Sequence, residues 1–262
     1  MNTRTCRAVI LPGVLLAVLS TGAAAQTSET AVRLSTGLEY SSGDYGGTET
    51  IEDLYVPVIG SVTYGRISFQ LTLPYLSVTG PAGTTITEPG GEPVSGSGAT
   101  TTESGLGDII AGATLYDIFC SSDYGIALDL TGKIKFGTAD EEKGLGTGEP
   151  DYTLRADLYK FFEQFTLIGS AGYKFRGDPA GYDLENVLIG SIGGAFSFND
   201  DARLGITYDY RESALIDGDA VSEVSAFLSR NLNDSWRLQF YAFTGFSDSS
   251  PDWGGGVLVS VN

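Results

Sequence analysis

Between Tyr124 and Phe136 the chain alternates almost without interruption. Tyr124, Ile126, Leu128, Leu130, Ile134 and Phe136 hold one parity, while Gly125, Ala127, Asp129, Thr131, Lys133 and Lys135 hold the other. A period of two marks a strand with one apolar and one polar face. Its thirteen residues are about twice the ~5–6 of an ordinary globular strand and exceed the ~9–11 that carry a tilted strand across a bilayer. A chain built of such strands must find somewhere to put a long apolar face.

The pattern recurs. Val32, Leu34, Leu38 and Tyr40 alternate with Arg33, Ser35, Gly37 and Glu39. Residues 54–64 and 67–78 flank the tight turn at Gly65. Residues 106–118, 124–136, 151–158, 165–176, 203–211, 223–229 and 236–242 follow, with 184–198 and 253–261 strand-like but apolar or small on both parities. Pro57 falls inside one segment, which calls for a bulge there. The count is twelve.

The connections alternate in length. Short ones lie at Gly65, 119–123, 160–164, 199–201 and 231–235; long polar ones span 41–50, 80–104, 137–150, 177–183, 212–219 and 247–252. Short turns at one rim and long loops at the other predict an all-β fold, a transmembrane antiparallel up-and-down β-barrel of about 12 strands. Tyr64, Tyr116, Phe119, Tyr159, Phe161, Phe162, Phe165, Phe196, Phe198 and Trp236 gather near the short turns and predict an interfacial girdle. A soluble sandwich would bury the same apolar faces, but it has no need of strands this long. In lipid, each Lys or Arg facing hydrocarbon near the midplane costs about 2–4 kcal/mol. Turning Asp129, Lys133, Arg155, Asp157 and Asp209 to the other face therefore avoids a penalty on the order of 10 kcal/mol.

Residues 1–25 read as a secretory signal: Arg4 and Arg7, an apolar run from Ala8 to Leu19, and Ala23-Ala24-Ala25 before Gln26. The predicted barrel domain is thus 26–262, exported and seated in an outer membrane. Removal of the signal leaves 13 Lys+Arg against 33 Asp+Glu, a balance that disfavours nucleic acid as a partner. It leaves Cys120 as the one cysteine, so a disulfide within the processed chain is not expected. Histidine is absent, which removes Ser-His and Cys-His nucleophile pairs and the usual neutral-pH base. The chain is read as a non-enzyme without a cofactor or metal centre.

The charges of the second parity carry the functional content. Arg33, Glu39, Asp108, Asp129, Lys133, Lys135, Arg155, Asp157, Lys174, Arg176, Arg203, Asp209, Arg211, Glu223 and Arg237 are the candidate lumen-lining residues. They could fill a narrow interior as ion pairs or wall a water-filled pore, and a twelve-strand barrel lies between the filled and open cases. The Gly/Thr/Ser/Pro/Glu stretch 80–104 has no apolar period and is expected to be flexible or folded inward. Asp217-Gly218-Asp219 and Asp140-Glu141-Glu142 do not match a spaced calcium loop and read as solvated loops. Gly105-Leu106-Gly107 lacks the third glycine of a dinucleotide fingerprint.

Ser104-Gly105-Leu106-Gly107-Asp108, Lys135-Phe136-Gly137-Thr138, Gly146-Thr147-Gly148 with Asp151, Leu73-Pro74-Tyr75 and Gly172-Tyr173 together resemble the outer-membrane transporter family of the MetA pathway of phenol degradation. The resemblance spans about 54–176. It implies a barrel that passes small solutes, aromatic or other hydrophobic compounds among them, with outer-membrane lipid and lipopolysaccharide as its surroundings. The alternative is a closed structural or surface-interaction barrel. One departure from such barrels is the non-aromatic ending Val259-Ser260-Val261-Asn262.

Overall fold

The computed structural model describes residues 30–88, 91–179, 183–216 and 218–262. The expected signal segment, 1–25, lies outside the described residues, as does Asp217. The barrel strands are β1 (Thr30–Gly43), β2 (Ile51–Tyr64), β3 (Ile67–Pro81), β4 in two pieces (Thr100–Leu106 and Ile110–Ser121), β5 (Ile126–Lys135), β6 (Asp151–Phe161), β7 (Phe165–Phe175), β8 (Val187–Ser197), β9 (Ala202–Arg211), β10 (Val221–Asn231), β11 (Trp236–Gly245) and β12 (Trp253–Val261). Each pairs antiparallel with the next. The ring closes where β12 meets β1 from Leu34↔Val261 to Ser42↔Trp253. Twelve strands in one closed up-and-down barrel is the predicted architecture.

Closure gives every strand a lipid-side and a lumen-side face. On the outside Val32, Phe69, Leu106 and Ile192 are each 60 % or more exposed, in a belt that runs round all twelve strands. A water-soluble monomer rarely shows apolar patches beyond a few hundred Å², so the soluble-sandwich alternative falls. No helix among the described residues is long and apolar enough to cross a membrane.

Proline places two irregularities. Pro57 sits in an unbroken β2–β3 register, directly opposite Pro74, so the expected bulge is not there. Instead the β1–β2 pairing lapses between Thr36↔Val58 and Glu39↔Tyr55, because Pro57 has no N–H to give. Pro74 acts likewise on its other side: β4 splits between its pairings Tyr75↔Leu106 and Thr72↔Ile110, where the Gly107 N–H donates to the Pro74 carbonyl at 2.9 Å. That split moves the β3–β4 register by one residue, and a further shift lies in β4 between Leu115 and Phe119. There Asp117 takes φ +51° and its N–H donates to Asp129 Oδ1 at 2.8 Å.

The girdle is smaller than the sequence suggests. Tyr64, Phe119, Phe162, Phe165, Phe196, Phe198 and Trp236 are exposed on the outside. Tyr159 is buried and packs inside with Phe161, and Tyr116 faces a cavity between β4, β5 and β6. Proximity to a turn does not distinguish the faces; parity does. On the two strands of uncertain facing, Leu188, Ile192, Phe196 and Trp253 turn outward, while Val187, Gly254, Leu258 and Ser260 turn inward.

Candidate functional site

The inner wall is where the polar parity converges. Of the fifteen predicted residues, Glu39, Asp108, Asp129, Lys135, Arg155, Asp157, Lys174, Arg176, Arg211, Glu223 and Arg237 are buried. Arg33, Lys133, Arg203 and Asp209 are partly buried on the same inward parity of their strands. They divide into groups with different partners.

At the long-loop rim Asp108 and Lys135 form a buried pair at 2.7 Å. Asp108 Oδ1 also accepts the Thr138 and Ala139 N–H groups at 2.8 and 2.9 Å, and Lys135 donates to Thr147 Oγ1 and the Glu149 carbonyl. These contacts hold the 136–150 loop, which carries a 3₁₀ turn at Glu141–Lys143, folded against the barrel. A side chain on Gly146 would meet Asp108 Oδ2 at 2.6 Å, and one on Gly137 would meet the Gly148 carbonyl at 2.0 Å. The motifs around Asp108, Lys135 and Gly146 thus come together as one loop clasp. Asp108 and Lys135 belong to that clasp rather than to an open wall, because each already spends its charge on the other.

The 80–104 stretch crosses the mouth. Its two ends are strand, since Pro81 pairs with Thr100, so the loop proper is 82–99. It carries a small hairpin pairing Thr85 and Ile86 with Val94 and Pro93. Glu88 reaches three cations on the opposite wall. It pairs with Lys174 of β7, with Arg176 just beyond β7 at 3.2 Å and with Arg211 of β9 at 3.3 Å. Strand β9 is half the circumference away from β3. Burial alone would raise the Glu88 carboxyl, but Lys174, Arg176 and Arg211 outweigh it and hold the group well below the usual carboxylate range. Glu92 accepts from Ser213 Oγ and the Ala214 N–H at 3.0 Å each. On the near side Ile86 packs with Ile51, Tyr55, Leu76, Val78 and Leu145.

Deeper in the lumen Arg155 Nε lies 2.9 Å from Asp157 Oδ1, Glu39 accepts from the Tyr241 hydroxyl at 2.6 Å and Asp209 from Thr207 at 3.0 Å. Asp129 and Asp157 face each other across β5–β6, Asp129 accepting the Asp117 N–H and Asp157 paired with Arg155. A cavity of about 30 Å³ lies among Tyr116, Asp129, Lys133, Arg155, Asp157 and Tyr159, room for ordered water.

The apolar part of the lumen was not visible in the alternation. Tyr159, Ile168, Ala195 and Phe227 form one inward cluster with Tyr241, and Ile51, Tyr55, Ile59 and Leu76 another. Cross-strand glycines supply a signal: Phe227 pairs with Gly205, whose added Cβ would meet its ring at 2.4 Å. Phe243 stands likewise over Gly254 at 2.2 Å.

Comparison with solved structures agrees on this architecture. An outer membrane channel of the COG4313 group from Pseudomonas putida F1 superposes with a TM-score of 0.72 at 14% identity, over 93% of this chain and 99% of that one. The NanC porin gives 0.51 at 10% identity, over 88% and 100%. Identities this low establish the shared barrel fold. No curated protein matches the chain in sequence. A family profile described as "Putative MetA-pathway of phenol degradation" matches residues 24–262, and this barrel, with its motif clasp and crossed mouth, belongs to that family.

Proposed function

We propose that the protein is an outer-membrane channel for passive passage of small solutes, constricted by its own 82–99 loop. The observation that carries this reading is the loop's anchorage. It spans half the circumference and is pinned by Glu88 to Lys174, Arg176 and Arg211, yet the barrel wall closes without it. A segment that fills the mouth without holding up the wall is a constriction rather than a strut. The long loops, rich in Asp and Glu, face outward from the cell and the short turns face the periplasm. Lipid and lipopolysaccharide surround the apolar belt. Small solutes with apolar parts suit a lumen that mixes charge pairs with the Tyr159–Phe227 cluster, in keeping with the passage of aromatic or other hydrophobic compounds.

Pro81 and Thr100 are register partners, so residues 82–99 can be replaced by a two-residue Asn-Gly turn that closes the hairpin directly. Planar-bilayer conductance of this variant should rise several-fold over wild type. Equal conductance removes the loop as the constriction. Silence of both proteins, when each shows heat-modifiable migration, removes the channel reading and leaves a structural or surface-interaction barrel.

A further inference from the structure

Three inward arginines are held differently from Lys135, Arg155, Lys174, Arg176 and Arg211, each of which pairs with a carboxylate. Arg33, Arg203 and Arg237 lie near the short-turn ends of β1, β9 and β11. Arg237 pairs with Ser260 of β12, which pairs with Ser35 of β1, two residues along the same face from Arg33. On its other flank Arg203 pairs with Ser229 of β10, which pairs with Gln239, two residues from Arg237. Each neighbour is thus about two strand spacings away, roughly 10 Å between backbones, within reach of two extended guanidinium groups. Both neighbours repel the Arg237 charge.

None of the three has a carboxylate partner among the described residues. Each places its Nε on a neutral acceptor instead: Arg33 on Asn262 Oδ1 at 2.6 Å, Arg203 on Ser197 Oγ at 2.9 Å, and Arg237 on Asn231 Oδ1 at 2.9 Å. Arg237 is 9 % exposed. Its Nη1 and that of Arg203 are buried without an acceptor among the described residues. Like charges gathered in a poorly hydrated place oppose folding, and at the other end of the same lumen Lys135, Lys174, Arg176 and Arg211 each meet a carboxylate. Fixing Nε orients each guanidinium and leaves its terminal N–H groups to meet a planar oxyanion, the geometry in which arginine binds carboxylate best. Beside this cluster stands the aromatic wall: Phe227 covers Gly205, two residues from Arg203, and pairs with Tyr241.

We infer that Arg33, Arg203 and Arg237 form a binding site for the carboxylate of an organic acid with an apolar ring, whose body rests against Phe227 and Tyr241. The channel reading supplies only the route by which such an acid arrives; the site itself stands on the arginines.

The test is calorimetric titration of the folded full-length protein in detergent with benzoate, benzyl alcohol and inorganic phosphate. Benzoate should bind at least about tenfold more tightly than its neutral analogue, and R203Q/R237Q should lose about tenfold or more, as expected for hydrogen bonds to a charged group. Equal binding of benzyl alcohol overturns the proposal. So does unchanged benzoate affinity in a variant with native heat-modifiable migration. Phosphate binding as tightly as benzoate overturns the organic-acid assignment. If the double variant does not fold, the wild-type comparison of benzoate with benzyl alcohol decides, together with R33Q on the more exposed member. Benzoate binding with no conductance refutes the channel and keeps the site; conductance with no benzoate binding does the reverse.

Discussion

The two ends of the lumen handle positive charge in opposite ways. At the long-loop end Lys135 is matched to Asp108 and Asp151, and Lys174, Arg176 and Arg211 converge on Glu88. At the short-turn end Arg33, Arg203 and Arg237 meet only amide and hydroxyl oxygens. The sign of the charge is the same at both ends, and so is the inward facing. The difference teaches that a charged inner face is not one functional surface. Where a carboxylate arrives from a loop, the cation holds that loop in place; where none arrives, it is free to meet something else.

The largest expected effect is at the crossed mouth. Glu88→Gln leaves three buried cations without their shared anion, and breaking a buried pair by removing one partner costs about 3–5 kcal/mol. The 82–99 loop should leave the lumen, seen as a several-fold rise in single-channel conductance with barrel folding intact. A conductance equal to wild type would mean that Glu92 and Ile86 hold the loop by themselves.

Asp108→Asn keeps an acceptor for the Thr138 and Ala139 N–H groups but removes the charge opposite Lys135. A loss of about 1.5–3 kcal/mol, the worth of a hydrogen bond to a charged group, should loosen the 136–150 loop and speed its proteolytic nicking. Wild-type resistance would show that the backbone contacts suffice.

The short-turn end should respond less. Asn231→Ala takes a neutral acceptor from Arg237 Nε, worth about 0.5–1.5 kcal/mol. The midpoint of the heat-modifiable gel shift should move by a few degrees at most, and a larger fall would mark Asn231 as structural.

The smallest expected effect is of acid. The Glu88 carboxyl is depressed below its ordinary value, so its contribution is present above the unfolded-state pKa and is lost only as pH falls through the depressed folded value. Conductance should therefore stay constant from about pH 7 to about pH 5, above the ordinary carboxylate range. An opening in that window would place the controlling carboxylate elsewhere.

Much of this was readable from side-chain parity. Leu128 and Leu130 alternate with Ala127, Asp129 and Thr131, and the structure turns the first pair outward and the others inward, because lipid and lumen select opposite polarities on adjacent residues. Tyr55, Tyr159 and Phe227 escaped that logic. They are apolar residues on the inward parity, accommodated because the wall is lined by small residues such as Gly205 and Ala195, and only strand register reveals which small residue faces which ring. Glu88 escaped for a different reason: nothing within a Gly- and Thr-rich loop indicates a partner 86 residues along the chain.

By itself the amino-acid sequence determined the strand count, the alternation of turn lengths and the facing of the charged parity, since these follow from a local period of two and from what lipid tolerates. The tertiary structure alone decided which charges neutralise one another, because ion pairing depends on which strands and loops closure brings together. That is why Lys174 became an anchor for the loop while Arg237, on the same inner face, was left with an asparagine.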